Sequence, residues 1–178
     1  MPGIVSSAHK YVFKVVKKMF DNINIVYKEI IDKADGGNPA AMFELAMLYD
    51  SNAIPSHSND DYVYWLKKFL LSEQVQSIID DLDDEEGTNS DNCFDFIECY
   101  QYYPMIIEAG LALGLYYKNS SNIDEVKLAA KAFYYAFLTS RFDHIEMDDD
   151  GSITDIVTLL SQTNDRIMLL SGGVESND

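Results

Sequence analysis

The chain has 178 residues, 47% of them hydrophobic, and 13 basic against 30 acidic residues give it a net charge of −17. This length suits one domain with a sizeable core, which needs neither disulfides nor a structural metal to fold. Because the negative field repels phosphate backbones and anionic lipids, it argues against nucleic-acid and membrane partners. It favours a basic protein partner, although acidity also serves solubility alone.

The first segment carries the opposite charge. Residues 1–20 contain four lysines and no acid. An apolar stripe at helical spacing, which includes Val12, Val15 and Met19, lies opposite these lysines. A transit peptide or a membrane-surface helix has this pattern, but we favour a first helix packed on an acidic domain. With no bilayer-spanning apolar run and no secretory signal, we expect a cytoplasmic protein.

Helical spacing recurs along the chain, and no segment shows the β-branched alternation of a sheet. The predicted helices span residues 5–20, 22–34, 39–50, 60–72, 73–82, 92–102, 104–118, 122–142 and 152–170. The helix at 122–142 is apolar nearly all round, which predicts a central position between two layers. We expect a single all-α domain over residues 1–172 and a disordered tail at 173–178.

Residues typical of helix ends support these boundaries. Gly36-Gly37 is typical of a junction between two helices. Asn38 followed by Pro39 is typical of a helix start, because asparagine caps and proline gives up only an amide that has no partner. Asn122 with Glu125, and Ser152 with Asp155, are typical of capping boxes or of close relatives of one.

One helical pattern occurs twice. Ala41-x-x-x-Leu45-Ala46-x-x-Tyr49 corresponds position for position to Ala109-x-x-x-Leu113-Gly114-x-x-Tyr117. Each copy is followed, after a loop, by a helix rich in aromatic residues, and in the second copy also in alanine. Small residues allow two antiparallel helices to approach closely, while leucine and tyrosine fill the space between one pair and the next. The pattern therefore predicts stacked antiparallel hairpins.

This pattern resembles the Sel1-like repeat, a relative of the tetratricopeptide repeat, in which a G-N-x-x-A-x-x-x-L-G-x-x-Y helix precedes a D-x-x-x-A-x-x-W-Y-x-x-A-A helix. The matching residues are Gly37, Asn38, Ala41, Leu45, Tyr49 and Trp65 in the first copy, and Ala109, Leu113, Gly114, Tyr117 and the helix around 129–136 in the second. The chain departs from the family at Ala46, where glycine is preferred, and in a lengthened first loop without the usual glycines. The two copies lie 68 residues apart, with no consensus between them. The resemblance covers residues 34–72 and 104–142 and implies a short α-solenoid that binds proteins.

Residues that carry chemistry are scattered. His9, His57 and His144 have no partners at metal-ligand spacing, and neither a Gly-x-Ser-x-Gly motif nor a phosphate-binding glycine loop occurs. Cys93 and Cys99 give neither a disulfide framework nor a metal spacing, which fits reduced thiols. We therefore expect no enzyme activity, no metal and no cofactor.

The loop Glu146–Val157 contains part of an EF-hand pattern. Glu146, Asp148 and Asp150 offer oxygen ligands, and a glycine stands at position six. The twelfth position is Val157, where an EF-hand needs a bidentate glutamate. A loop that joins two helices explains the same residues, and a calcium-responsive module stays an alternative.

Two acidic runs and three tyrosines are the candidate partner-binding residues. Such runs are usually solvated, and tyrosines at helical spacing also fit a core. At the rim of a groove, however, carboxylates steer a cationic partner and tyrosines anchor it. The candidate site comprises Asp80, Asp81, Asp83, Asp84, Glu85, Glu86, Tyr100, Tyr102, Tyr103, Asp143, Glu146, Asp148, Asp149 and Asp150.

Small size, strong acidity and the lack of catalytic motifs together fit an immunity protein. In this hypothesis the chain binds and neutralises a basic, nuclease-type toxin domain exchanged between competing bacteria. An inhibitor that imitates the charge of nucleic acid can occupy the cationic cleft and associate fast. The alternative is a Sel1-like adaptor that assembles signalling or secretion proteins. The sequence leaves the oligomeric state open.

Overall fold

A computed structural model describes residues 25–54, 59–83, 99–141 and 152–172, together with Lys14. All regular structure in these ranges is helical, which confirms the predicted all-α class. The helices are α1 (residues 25–35), α2 (Pro39–Asp50), α3 (Asn59–Leu70), α4 (Glu73–Asp83), α5 (Tyr103–Tyr117), α6 (Ile123–Ser140) and α7 (Ser152–Leu170). The ends of α2 to α7 lie within two residues of the predicted ones. The predicted helix at 5–20 apart from Lys14, residues 92–98 and the tail at 173–178 lie outside the described residues.

The α1–α2 junction is short because two capping arrangements share it. The amides of Gly37 and Asn38 donate to carbonyls in the last turn of α1, at 3.1 and 3.0 Å, which forms a Schellman motif. Gly37 has a φ of +92°, a conformation that L side chains rarely adopt. Asn38 then caps α2 by accepting from the Ala41 amide at 2.9 Å, with Pro39 at the first helical position. The predicted junction and helix start are confirmed.

The C-terminus of α2 uses the same motif without a glycine. The amides of Asn52 and Ala53 donate to the carbonyls of Tyr49 and Leu48, at 3.1 and 3.0 Å. Asn52 has a φ of +54°, and asparagine is among the residues that tolerate the left-handed region. This explains how α2 ends sharply although its loop lacks the usual glycines.

The start of α6 is capped by three side chains that act in series. Asn122 accepts from the Asp124 amide at 2.9 Å. The Ser120 hydroxyl accepts from the Asn122 amide at 3.0 Å and donates to Glu125 at 2.5 Å. Glu125 therefore reaches the Asn122 amide through Ser120, which makes the arrangement a close relative of the capping box, in which the acid bonds to the cap amide directly.

Two antiparallel hairpins, α2–α3 and α5–α6, pack against each other through α3 and α5. The first hairpin is closed by the rings of Phe43 and Phe69, whose centroids lie 5.3 Å apart. In the second, α6 packs on α5, α4 and α7, which confirms its predicted central position. The Arg166 guanidinium of α7 fixes that helix to the α5–α6 turn by donating to the carbonyls of Asn119 and Ser120, at 2.8–3.1 Å.

Glycines bring α5 and α6 closer than other residues would allow. A Cβ atom on Gly110 would lie 2.5 Å from the carbonyl oxygen of Ala132 and 2.9 Å from the Cβ of Ala136. A Cβ atom on Gly114 would overlap the ring of Phe133, which is fully buried. The prediction that small residues mark the close approach of two helices is therefore confirmed for this hairpin.

Replacing Gly110 by alanine tests this packing. Gly110→Ala is expected to lower the free energy of unfolding by about 1–3 kcal/mol, the usual cost of overpacking a core. Helix propensity alone predicts the opposite change, a gain of about 1 kcal/mol. Urea unfolding followed by far-UV circular dichroism measures the difference. Ser161→Ala, at an exposed position of α7, is the control and should change stability by less than about 0.5 kcal/mol. A Gly110→Ala protein as stable as the parent would contradict the close approach.

Two buried threonines differ in their hydrogen bonding. Thr139 Oγ1 of α6 has no partner in the described part of the chain, although its side chain is fully buried. Thr163 of α7 is buried as well, but its hydroxyl donates to the Leu159 carbonyl at 2.7 Å. A buried polar group left unsatisfied costs about 1–3 kcal/mol, so only Thr139 carries this cost.

Valine substitutions at the two threonines should therefore act in opposite directions. Thr139→Val is expected to raise the free energy of unfolding by about 1 kcal/mol, because a methyl group replaces an unsatisfied hydroxyl. Thr163→Val is the matched variant and should lower it by about the value of one hydrogen bond, about 1 kcal/mol. Urea unfolding compares both with the parent. A shift of the same sign in both variants would show that the orphaned hydroxyl is not the cause.

Candidate partner-binding surface

A cavity of about 600 Å³ lies between the α1–α2 junction, the α3–α4 turn and one side of α4. Its volume is within the range of ligand-binding pockets. Glu73, Ser77 and Asp81 of α4 line it, together with Cys99. Glu73 stands in the first turn of α4, where the partial positive charge of a helix N-terminus favours a carboxylate. We call this space and its walls the acidic cavity.

The amphipathic pattern of α4 turns its acids outward. Apolar residues at i, i+3, i+4 and i+7 form its buried face, which consists of Val75, Ile78, Ile79 and Leu82. The carboxylates of Asp80, Asp81 and Asp83 are consequently exposed. Of these three predicted site residues, Asp81 lines the acidic cavity.

Side-chain hydrogen bonds hold α4 against its neighbours. The Tyr135 hydroxyl of α6 donates to Gln76 at 2.9 Å, and the Gln76 amide donates to the Leu70 carbonyl at 2.5 Å. The Tyr134 hydroxyl donates to the carboxylate of Asp83. Asp83 therefore helps to position α4, while Asp80 and Asp81 face solvent on a helix that is fixed at both ends.

The three candidate tyrosines have different environments. Tyr100 is 45% exposed, whereas Tyr102 and Tyr103 are 5% and 1% exposed. The ring of Tyr100 rests on that of Tyr103, with centroids 5.1 Å apart. Tyr102 and Tyr103 are buried in the core, the alternative that their helical spacing also allows, and Tyr100 keeps an exposed ring. Tyr100 directly follows Cys99, which lines the acidic cavity, so the structure brings this segment near Asp81.

The remaining predicted site residues are not placed by the structure. The described residues do not include eight of the candidates, Asp84, Glu85, Glu86, Asp143, Glu146, Asp148, Asp149 and Asp150, or the first half of the candidate calcium loop, residues 146–151. Val157, the twelfth position of that loop, is 46% exposed on α7. Within the described ranges, no group of three or more His, Cys, Asp or Glu residues is arranged to hold a metal ion. No helix there is long and apolar enough to cross a bilayer.

A second set of acids, which no sequence motif marks, lies beside tyrosines of α3 and α5. The Tyr116 hydroxyl of α5 lies 3.5 Å from the Asp60 carboxylate of α3. Burial, and then the charges of Asp50 and Glu108, raise the pKa of Tyr62. Asp60 and Tyr116 are 56 residues apart in sequence, so the packing of α3 on α5 brings them together, whereas the α2–α3 hairpin brings Asp50 to Tyr62.

Comparison with models of known families, with curated proteins and with solved structures finds no match to this chain. The resemblance to the Sel1-like repeat therefore stays a prediction from the residue pattern.

The half-buried Tyr62 predicts a loss of stability in alkaline solution. The pKa of Tyr62 is raised above the ordinary 10.0, so the unfolded chain loses this proton at a lower pH than the folded protein. The stability that the protonated Tyr62 hydroxyl contributes is fully present below pH 10.0 and is lost as the pH rises through the raised pKa of the folded protein.

Tyr62→Phe, which removes the ionisable hydroxyl, should lose less free energy of unfolding than the parent between about pH 8 and about pH 11. Urea unfolding of the parent and of Tyr62→Phe at both pH values measures the two decreases in the free energy of unfolding. The difference between the two proteins at the lower pH gives the effect of removing the hydroxyl itself. Equal losses in the two proteins would show that folding does not shift the titration of Tyr62.

Proposed function

We propose that this chain is a non-catalytic, protein-binding module that binds a basic protein through the exposed acids of α4 and the acidic cavity. One observation carries the proposal: Glu73 and Asp81 stand in the wall of this cavity, and none of the described residues that line it is Lys, Arg or His. A concave site of one charge favours a partner of the opposite charge and speeds its approach. The net charge of −17 acts in the same direction at long range.

Within this class, we favour an inhibitor of a basic, nuclease-type toxin domain, as in interbacterial competition. A nuclease cleft is positively charged because it holds phosphates, and an acidic protein competes for it by charge. Asp80 and Asp81 are exposed on a helix that contacts α3 and α6. Because these contacts already hold the helix, it loses little conformational freedom when a partner binds. No chemical step is required of this chain.

An adaptor for several proteins is the second candidate, and the two packed hairpins favour it. Stacked helical hairpins present an extended surface that repeat proteins use for binding. The two candidates differ in what they bind: an inhibitor has one tight basic partner with a steep salt dependence, whereas an adaptor binds several proteins or peptides.

Partner capture followed by an activity assay separates these candidates. The full-length chain is used as bait in lysate of the source organism at low and high salt, and each basic protein retained is purified and assayed for nuclease activity. Loss of that activity on adding the chain supports the inhibitor. Several partners, or a partner without nuclease activity, overturn the inhibitor in favour of the adaptor. Partners that are retained equally at high salt contradict a charge-based site altogether.

Neutralising the cavity wall should weaken binding of the captured partner. The double variant Glu73→Gln/Asp81→Asn is expected to raise the Kd about tenfold, with much of the change in the association rate. The control Asp32→Asn/Asp155→Asn removes the same charge from exposed positions on α1 and α7. Surface plasmon resonance of the partner with the parent and with each double variant, at two salt concentrations, measures both rates. Equal weakening by both double variants would assign the effect to net charge and remove the cavity from the proposal.

A further inference from the structure

The acidic cavity extends along two turns of α4. Glu73, Ser77 and Asp81 stand four residues apart on this helix, and all three line the cavity. Because an α-helix rises about 1.5 Å per residue, the step from Glu73 to Asp81 gives the cavity a length of about 12 Å. Over this length, a volume of about 600 Å³ leaves a mean cross-section of about 50 Å².

This cross-section decides which kind of chain segment can enter. An α-helix with its side chains is about 10–12 Å in diameter, so its cross-section of about 80–110 Å² exceeds that of the cavity. An extended segment needs about 5 Å by about 10 Å, the two packing distances of β-structure, which gives about 50 Å². The cavity therefore has room for an extended segment and not for a helix.

The two carboxylates of the wall fit two cations on such a segment. Glu73 and Asp81 lie about 12 Å apart along α4, well beyond the N···O distance of about 4 Å in one ion pair, so each acid pairs best with a cation of its own. In an extended segment, side chains at i and i+4 lie on the same side and about 13 Å apart. Gln74 and Ser77, both exposed in the same wall, offer donors and acceptors to the backbone of the segment.

We propose that the acidic cavity binds an extended segment with arginine or lysine at positions i and i+4. The segment belongs to the basic partner of the proposed function, on which this assignment therefore rests. A cavity receives a projecting element, so the partner contributes a loop or a terminal strand at this point. The exposed Asp80 of α4 does not line the cavity and is left to contact the rest of the partner.

Peptides that differ in the spacing of two arginines test this assignment. Three fluorescein-labelled peptides are titrated with the full-length protein at low salt, and fluorescence anisotropy is recorded. The first is rich in threonine and carries arginine at i and i+4, whereas its isomer carries arginine at i and i+3, on opposite sides of an extended chain. The third is alanine-based and helical, with arginine at i and i+7. The first peptide is expected to bind about tenfold more tightly than either of the others.

Filling the cavity separates a segment that lies inside it from ion pairs at its rim. Ser77→Leu places a larger side chain between Glu73 and Asp81 and leaves both charges in place. It should weaken binding of the first peptide, and of the captured partner, about tenfold. Ser161→Leu, at an exposed position of α7, is the matched control and should bind as the parent does. Urea unfolding checks that both variants are folded, and the comparison of the three peptides needs only the parent protein.

A preference for the first peptide that is lost in Ser77→Leu supports the extended segment. Equal binding of the two isomers, tighter binding of the helical peptide, no binding of any peptide, or an unchanged affinity in Ser77→Leu overturns it. The proposed function survives each of these results if the captured partner still loses affinity in Glu73→Gln/Asp81→Asn. If the partner binds that double variant as it binds the parent, the proposed function fails as well.

Discussion

The close contact of α5 with α6 is the constraint on which the other described elements depend. It exists because Gly110 and Gly114 have no side chain where α6 passes, so that the Phe133 ring occupies the space of a Cβ atom. α6 in turn supports α4 on one side and α7 on another. The acids of α4 therefore depend for their position on two glycines of α5, through α6.

The sequence predicted helix boundaries and hairpin pairing because both depend on local signals. Asn38, Pro39 and Asn122 act within one turn of a helix, and the repeated small-residue pattern identifies the side on which a neighbour packs. Which two helix faces pack against each other is decided by the tertiary structure, and hydrophobic periodicity does not predict it. For that reason Tyr102 and Tyr103 were candidates for both core and surface, and the contact of Tyr116 with Asp60 had no signal in the sequence at all.

The distribution of charge is likewise visible only after folding. The net charge of −17 predicts one kind of partner, and the acidic cavity agrees with it. The same number conceals local basic charge, because Lys67 and Lys131 are 64 residues apart in sequence yet line one shallow depression. Leu71 lines that depression and Ser72 lines the acidic cavity, so the two adjoin at the α3–α4 turn.

The α1–α2 junction has a consequence for how this chain can change in evolution. Asn38 closes the Schellman motif of α1 with its amide and caps α2 with its side chain, so one residue belongs to both helices. An inserted or deleted residue on either side of it would break both arrangements at once. The spacing between these helices is therefore fixed. Asn52, by contrast, ends α2 several residues before α3 begins at Asn59, and a loop of this length tolerates insertions at a small cost in closure entropy. Length variation should accumulate in the loop after α2 and be purged from the junction before it.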